Sequence, residues 1–159
     1  MLEKYSVHGV YADCYSTEVR GEVSFPEFIF AFYTTFLFKM ERSILQWTVS
    51  KPSTEDQVRR LSNGDITTFA AWHVESRNEN ELLMRDFRGR TRSWLMILPA
   101  DMLNSTGTRL YFGSAVVPVQ NSQTGEVSIG WVYQALLGFH RIYSILLLHF
   151  AKSELHRQQ

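Results

Sequence analysis

The chain has 159 residues, sixteen basic and sixteen acidic side chains, and a single cysteine, Cys14. That length fits one domain spanning residues 1–159, with enough apolar material for a core that needs neither a disulfide framework nor a metal. Duplex nucleic acid is normally bound through a basic surplus that displaces counterions, and the balanced charge argues against that partner.

The N-terminus, Met1-Leu2-Glu3-Lys4, lacks the basic start and apolar run of a secretory leader. Tyr5 to Val19 is rich in β-favouring side chains and reads as one or two short strands, broken by Gly21. A helix then has a defined start: Ser24 caps, Glu27 completes a capping box, Val23 and Phe28 take the staple positions, and Pro26 falls in the first turn. It is expected from Phe25 to about Leu45 with a break near Thr34-Thr35, and its near-continuous apolar surface requires burial on several sides. A short polar helix follows from Ser53 to Leu61, with Ser53 as cap, Asp56 three residues on and Asn63-Gly64 as stop.

Strands are expected over Thr67–Ser76, Glu81–Phe87, Arg90–Leu98 and Thr108–Val119, with turns at Arg77–Asn80, Arg88-Gly89 and Asn121–Gly125. A final helix runs from about Ser128 to Leu155. Its apolar stretch is long enough to span a bilayer, but Arg141 near its centre would cost ~2.5–3.5 kcal/mol on insertion, so no integral membrane segment is expected. With one cysteine and no leader, the expected location is the cytoplasm.

The fold class is therefore α+β: one strand, a helical pair, a run of antiparallel strands and a long C-terminal helix. The stretches Tyr11-Ala12-Asp13-Cys14-Tyr15-Ser16, Phe87-Arg88-Gly89-Arg90-Thr91-Arg92-Ser93-Trp94-Leu95 and Gly107-Thr108-Arg109-Leu110-Tyr111-Phe112-Gly113, set in that order of elements, resemble a bacterial family of unknown function near the START/Bet v 1-like superfamily. That superfamily has the helix-grip fold and includes polyketide cyclases and lipid-binding domains. The resemblance implies a sheet wrapped on the terminal helix with an apolar cavity between them. It supplies no catalytic motif.

Strand register points to a site independently. If Asn78-Glu79 and Arg88-Gly89 are two-residue turns, Trp72 lies opposite Arg85 and Arg85 opposite Arg92. One face then holds Trp72, Val74, Leu83, Arg85, Phe87, Arg90, Arg92, Trp94 and Met96. Its aromatics suggest that it faces the helices. The other holds His73, Glu75, Leu82, Met84, Asp86, Thr91, Ser93, Leu95 and Ile97. Two guanidinium groups beside two indoles read as an anion site bordering an apolar pocket, because the arginine fork binds carboxylate bidentately. The alternatives are an internal carboxylate (Asp13, Glu41 or Glu27) answering the charge, or an open, solvated sheet mouth.

His140 and Tyr143 share a face of the last helix with Leu136 and Leu147 and are further lining candidates, His140 being more readily a hydrogen-bonded core residue than a proton donor. Cys14 lacks a histidine partner and reads as a buried, inert thiol. His149 and His156 lack a third ligand, and no phosphate loop, nucleophile elbow or zinc spacing occurs. The candidate ligand-binding residues are Asp13, Trp72, Arg85, Arg92, Trp94, His140 and Tyr143.

The expected function is binding of an apolar or amphipathic small molecule in an internal cavity, a carboxylate being the head group that the arginines suit. No cofactor or metal is expected. Two alternatives stand beside it: a cyclase- or dehydratase-type enzyme using the same cavity, with Asp13 or His140 as its polar group, and a non-catalytic protein-interaction domain. The near-zero charge removes colloidal repulsion and is compatible with a homodimer.

Overall fold

The computed structural model describes residues 1–5, 11–35, 54–99, 106–117, 119–120, 127–128 and 131–158; for 119–120, 127–128, 131–141, 143 and 158 it describes the backbone alone. The N-terminus forms a 3-10 helix, Leu2–Tyr5. It is followed by β1 (Tyr11–Arg20), α1 (Phe25–Thr34), α2 (Glu55–Asn63), β2 (Thr68–Phe69), β3 (Trp72–Arg77), β4 (Glu81–Asp86), β5 (Thr91–Leu98), β6 (Gly107–Val116), β7 (Val119–Gln120), β8 (Val127–Ser128) and α3 (Trp131–Gln158). Six strands form an antiparallel sheet in the order β1-β6-β5-β4-β3-β2, and β7 pairs with β8 separately. The first strand thus closes against the last strand of the meander. With α1 and α3 packed on the sheet, the architecture is α+β and compatible with a helix grip.

Local chemistry sets the helix ends. Ser24 Oγ accepts from Glu27 N, and the Glu27 carboxylate accepts from Ser24 N (2.7 Å), completing the capping box. The helix stops at Thr34, with Thr35 as its cap, because both threonines turn their hydroxyls back onto the preceding turn: Thr34 Oγ1 donates to Phe30 O (2.7 Å) and Thr35 Oγ1 to Phe32 O (3.0 Å). The anticipated continuation toward Leu45 lies outside the described residues. For α2 the cap is Thr54, not Ser53, with Gln57 completing the box; Gly64 ends the helix at φ 87°, a left-handed conformation that glycine adopts without a Cβ clash. Arg77 reaches across from β3 and donates to Leu61 O and Ser62 O, satisfying two of the carbonyls that the end of α2 leaves open.

The strand expected over Thr67–Ser76 is two strands. Thr68 pairs with His73 and Phe69 with Trp72, so Ala70-Ala71 is a tight hairpin turn, with Ala70 at φ 51°. No glycine, proline or asparagine marks it. The β3–β4 register also differs from the expected one. Trp72 lies opposite Asp86 and His73 opposite Arg85, and a bulge at Glu75 shifts the pairing so that Arg77 meets Leu82. The β4–β5 register is as expected, Arg85 lying opposite Arg92.

These registers fix the two faces. Directly opposed residues share a face, so Asp13, Ser114, Ser93, Met84 and Val74 form one row across five strands. Tyr15, Phe112, Leu95, Leu82 and Arg77 form the next. This is the face that meets the helices. Leu82, Met84, Leu95, Ile97, Leu110 and Phe112 cluster with Phe28, Ile29, Phe32 and Tyr33 of α1, and with Leu147, Leu148, Ala151 and Leu155 of α3. The face expected to do so, carrying Arg85, Arg92 and Trp94, points the other way. It is covered in part by the 3-10 helix, with Leu2, Leu83, Trp94 and Ala115 forming a second small core. Aromatic richness was a poor guide because Leu82-Leu83-Met84 and Trp94 to Leu98 are apolar at every position, and such runs carry no alternation to say which face is inside.

Candidate functional site

The centre of the inner face is apolar, and a polar cluster lies at one end of it. There Asp13 on β1 stands beside Ser114 on β6, which stands beside Ser93 on β5. Ser114 Oγ donates to Asp13 Oδ1 (2.6 Å), Ser114 N donates to the same oxygen (3.2 Å), and Tyr11 OH donates to Asp13 Oδ2 (3.1 Å). Ser93 and Ser114 are buried and Asp13 is half-buried. The row continues into Met84, whose sulfur accepts from the buried Tyr33 hydroxyl of α1 (3.0 Å). On α3, the inward stripe Ser144, Leu147, Leu148, Ala151 and Leu155 carries one polar atom. Ser144 Oγ is wholly buried and has no hydrogen-bond partner among the described residues. Buried hydroxyls are almost always paired, with protein groups or with ordered water.

The outer face holds a different polar cluster. Glu75, displaced by the bulge, receives Lys4 Nζ (2.6 Å) and the Tyr5 hydroxyl on one oxygen. Its other oxygen lies 2.6 Å from Arg92 Nε, yet it accepts no aligned hydrogen bond, because that N–H donates to Tyr5 OH (2.9 Å). Arg92 Nη1 donates to Gly89 O (2.8 Å), and the guanidinium sits 4.8 Å from the Tyr5 ring centroid. Burial alone pushes the Glu75 carboxyl up, but the Lys4 and Tyr5 hydrogen bonds and the Arg92 charge outweigh it and hold the group below the ordinary range. On the neighbouring strand β4, the N-terminal ammonium and Trp94 Nε1 both donate to Glu81 Oε2, each at 3.0 Å. These two carboxylates fasten the 3-10 helix to the sheet.

The predicted site residues are thus divided. Asp13 and Trp72 lie on the inner face, four strands apart, while Arg85, Arg92 and Trp94 lie on the outer face. Arg92 is answered by an internal carboxylate, supplied by Glu75 rather than by Asp13 or Glu27; Glu41 lies outside the described residues. Arg85 is exposed, and Trp94 is buried under Leu2. His140 and Tyr143 fall within the backbone of α3, and their side chains are outside the described residues. Cys14 is exposed rather than buried, and partial desolvation, then the Asp13 charge, hold its thiol above the ordinary range.

Sequence reasoning missed Tyr11, Ser93, Ser114 and Ser144. Tyr11 and Asp13 are two apart on a strand and therefore share a face, which was a readable signal. Ser93 and Ser114 are joined to Asp13 only by long-range pairing. Among the described residues no cluster of metal-ligating side chains occurs, and no helix is long and apolar enough to cross a membrane. No protein-family model matches the chain, and neither does any curated protein or solved structure.

Proposed function

We propose that this domain binds an apolar or amphipathic small molecule between the inner face of the sheet and the terminal helix, at the end marked by Asp13. The observation that carries this reading is the polar row Asp13, Ser114 and Ser93, which borders the apolar cluster that the sheet forms with the described residues of α1 and α3. A solid core has no use for a half-buried carboxylate there, whereas binding sites combine apolar walls with a few convergent polar groups. The buried Ser144 hydroxyl, without a partner among the described residues, supports it. The strand order and C-terminal helix are in keeping with kinship to START/Bet v 1-like proteins.

Asp13 favours a ligand whose polar end donates, such as a hydroxyl or an amine. Arg85 and Arg92, from which a carboxylate head group was anticipated, lie on the outer face, and Glu75 answers the Arg92 charge there. The test is native mass spectrometry of protein purified from its host, followed by the same measurement on Asp13→Asn. A small molecule should co-purify, and loss of one charged hydrogen bond, roughly 1.5–3 kcal/mol, should lower its affinity about ten- to hundredfold. Protein that carries nothing, or Asp13→Asn protein loaded like the parent, refutes this site.

A further inference from the structure

The β4–β5 hairpin carries a feature unrelated to the inner face. Between Arg85 and Arg92 the sequence Arg-Asp-Phe-Arg-Gly-Arg-Thr-Arg holds four arginines and one acidic residue. Asp86 serves the turn itself: its Oδ1 accepts from Arg90 N (2.6 Å) and Thr91 N (3.0 Å). Arg92 is engaged by Glu75 and Tyr5. That leaves Arg85, Arg88 and Arg90, all exposed and none with a side-chain hydrogen bond or ion pair among the described residues. Among them stands Phe87, 41% exposed, with the Arg88 guanidinium 5.2 Å from its ring centroid. The apex is held in one shape. Phe87 N donates to Ala71 O, Gly89 N donates to Asp86 O, and Gly89 adopts φ 68°.

We propose that this hairpin apex docks on an anionic lipid surface, with Phe87 entering the interface and Arg85, Arg88 and Arg90 lying against the head groups. Charge complementarity supports this partner, as does the position of the aromatic at the tip: aromatic rings favour the membrane–water interface, and flanking cations favour anionic lipid. Single-stranded nucleic acid would require a groove with several stacking rings, and the chain has no basic surplus for a duplex.

The full chain should be sedimented with vesicles of phosphatidylcholine alone and of phosphatidylcholine with phosphatidylserine. Each arginine near an anionic surface contributes about 1 kcal/mol, close to a factor of five, so three should give roughly hundredfold tighter partition to the anionic vesicles. Salt should erase that difference. Arg88→Gln and Arg90→Gln should each weaken anionic-vesicle binding about fivefold, and Arg88→Lys should behave like the parent. Phe87→Ser should weaken binding with its salt dependence unchanged. Because these side chains are exposed, every variant should melt with the parent. Equal partition to both kinds of vesicle, or an Arg88→Gln/Arg90→Gln variant that partitions like the parent, overturns the proposal. So does single-stranded oligonucleotide binding that depends on these residues without any vesicle binding.

Discussion

Removing the Glu75 carboxylate, as in Glu75→Gln, should destabilise the fold by about 2 kcal/mol. The side chains of Glu75 and Arg92 are 16% and 11% exposed, so their charges are shielded from water more than in a surface pair. Cutting one partner from a fully buried pair costs roughly 3–5 kcal/mol, but Arg92 keeps Gly89 O, Thr91 O and the Tyr5 hydroxyl as acceptors, which lowers the penalty. The Lys4 contact adds little, because Lys4 is more than half exposed and such bridges contribute at most about 1 kcal/mol. For a chain of this length, 2 kcal/mol corresponds to a melting shift of about 4–8 °C. Arg92→Met should cost less, since Glu75 retains Lys4 and Tyr5, and the double variant should show a coupling of about 1 kcal/mol. Urea unfolding of the parent, both single variants and the double variant measures all three quantities. A Glu75→Gln midpoint matching the parent, with additive effects in the double variant, would refute the claim that this carboxylate answers the Arg92 charge.

Gly113→Ala should destabilise by about 1–3 kcal/mol, because an added Cβ would lie 2.6 Å from Leu2 Cδ2, 2.9 Å from Asp13 O and 3.0 Å from Trp94 Cε3. A thermal melt coincident with the parent would mean that the N-terminal helix does not seat on Trp94. Glu75 and Glu81 both titrate below the ordinary glutamate range, because their cationic and hydrogen-bonding partners outweigh burial. A depressed folded-state pKa stabilises above the unfolded value, about 4.3, and that stabilisation is lost as pH falls through the folded value. Urea midpoints should therefore fall below pH 4 more steeply in the parent than in Glu75→Gln/Glu81→Gln, and parallel curves would contradict the assignment.

Much of the local structure is legible from the sequence alone. Ser24, Pro26 and Glu27 start α1, Thr34-Thr35 end it, Gly64 ends α2, and the turn around Arg88-Gly89 puts Arg85 opposite Arg92. Each of these features rests on hydrogen bonds between residues a few positions apart, so neighbouring side chains suffice to specify it. Asp13 was also identifiable as a candidate, and the need for a partner to Arg92 followed from the cost of a shielded charge. The tertiary structure decided which face of the sheet meets the helices. It also decided that the partner of Arg92 is Glu75, that Ala70-Ala71 turns, and that Ser93 and Ser114 join Asp13. Leu82–Met84 and Trp94–Leu98 of the central strands are apolar on both faces, so each face gains from burial there, and the choice falls to which covering packs more completely. Here α1 and α3 bury Leu82, Met84 and Leu95, while the short 3-10 helix covers Leu83 and Trp94. A bulge of one residue at Glu75 then moved an acidic side chain from one face to the other, because side chains alternate with a period of two.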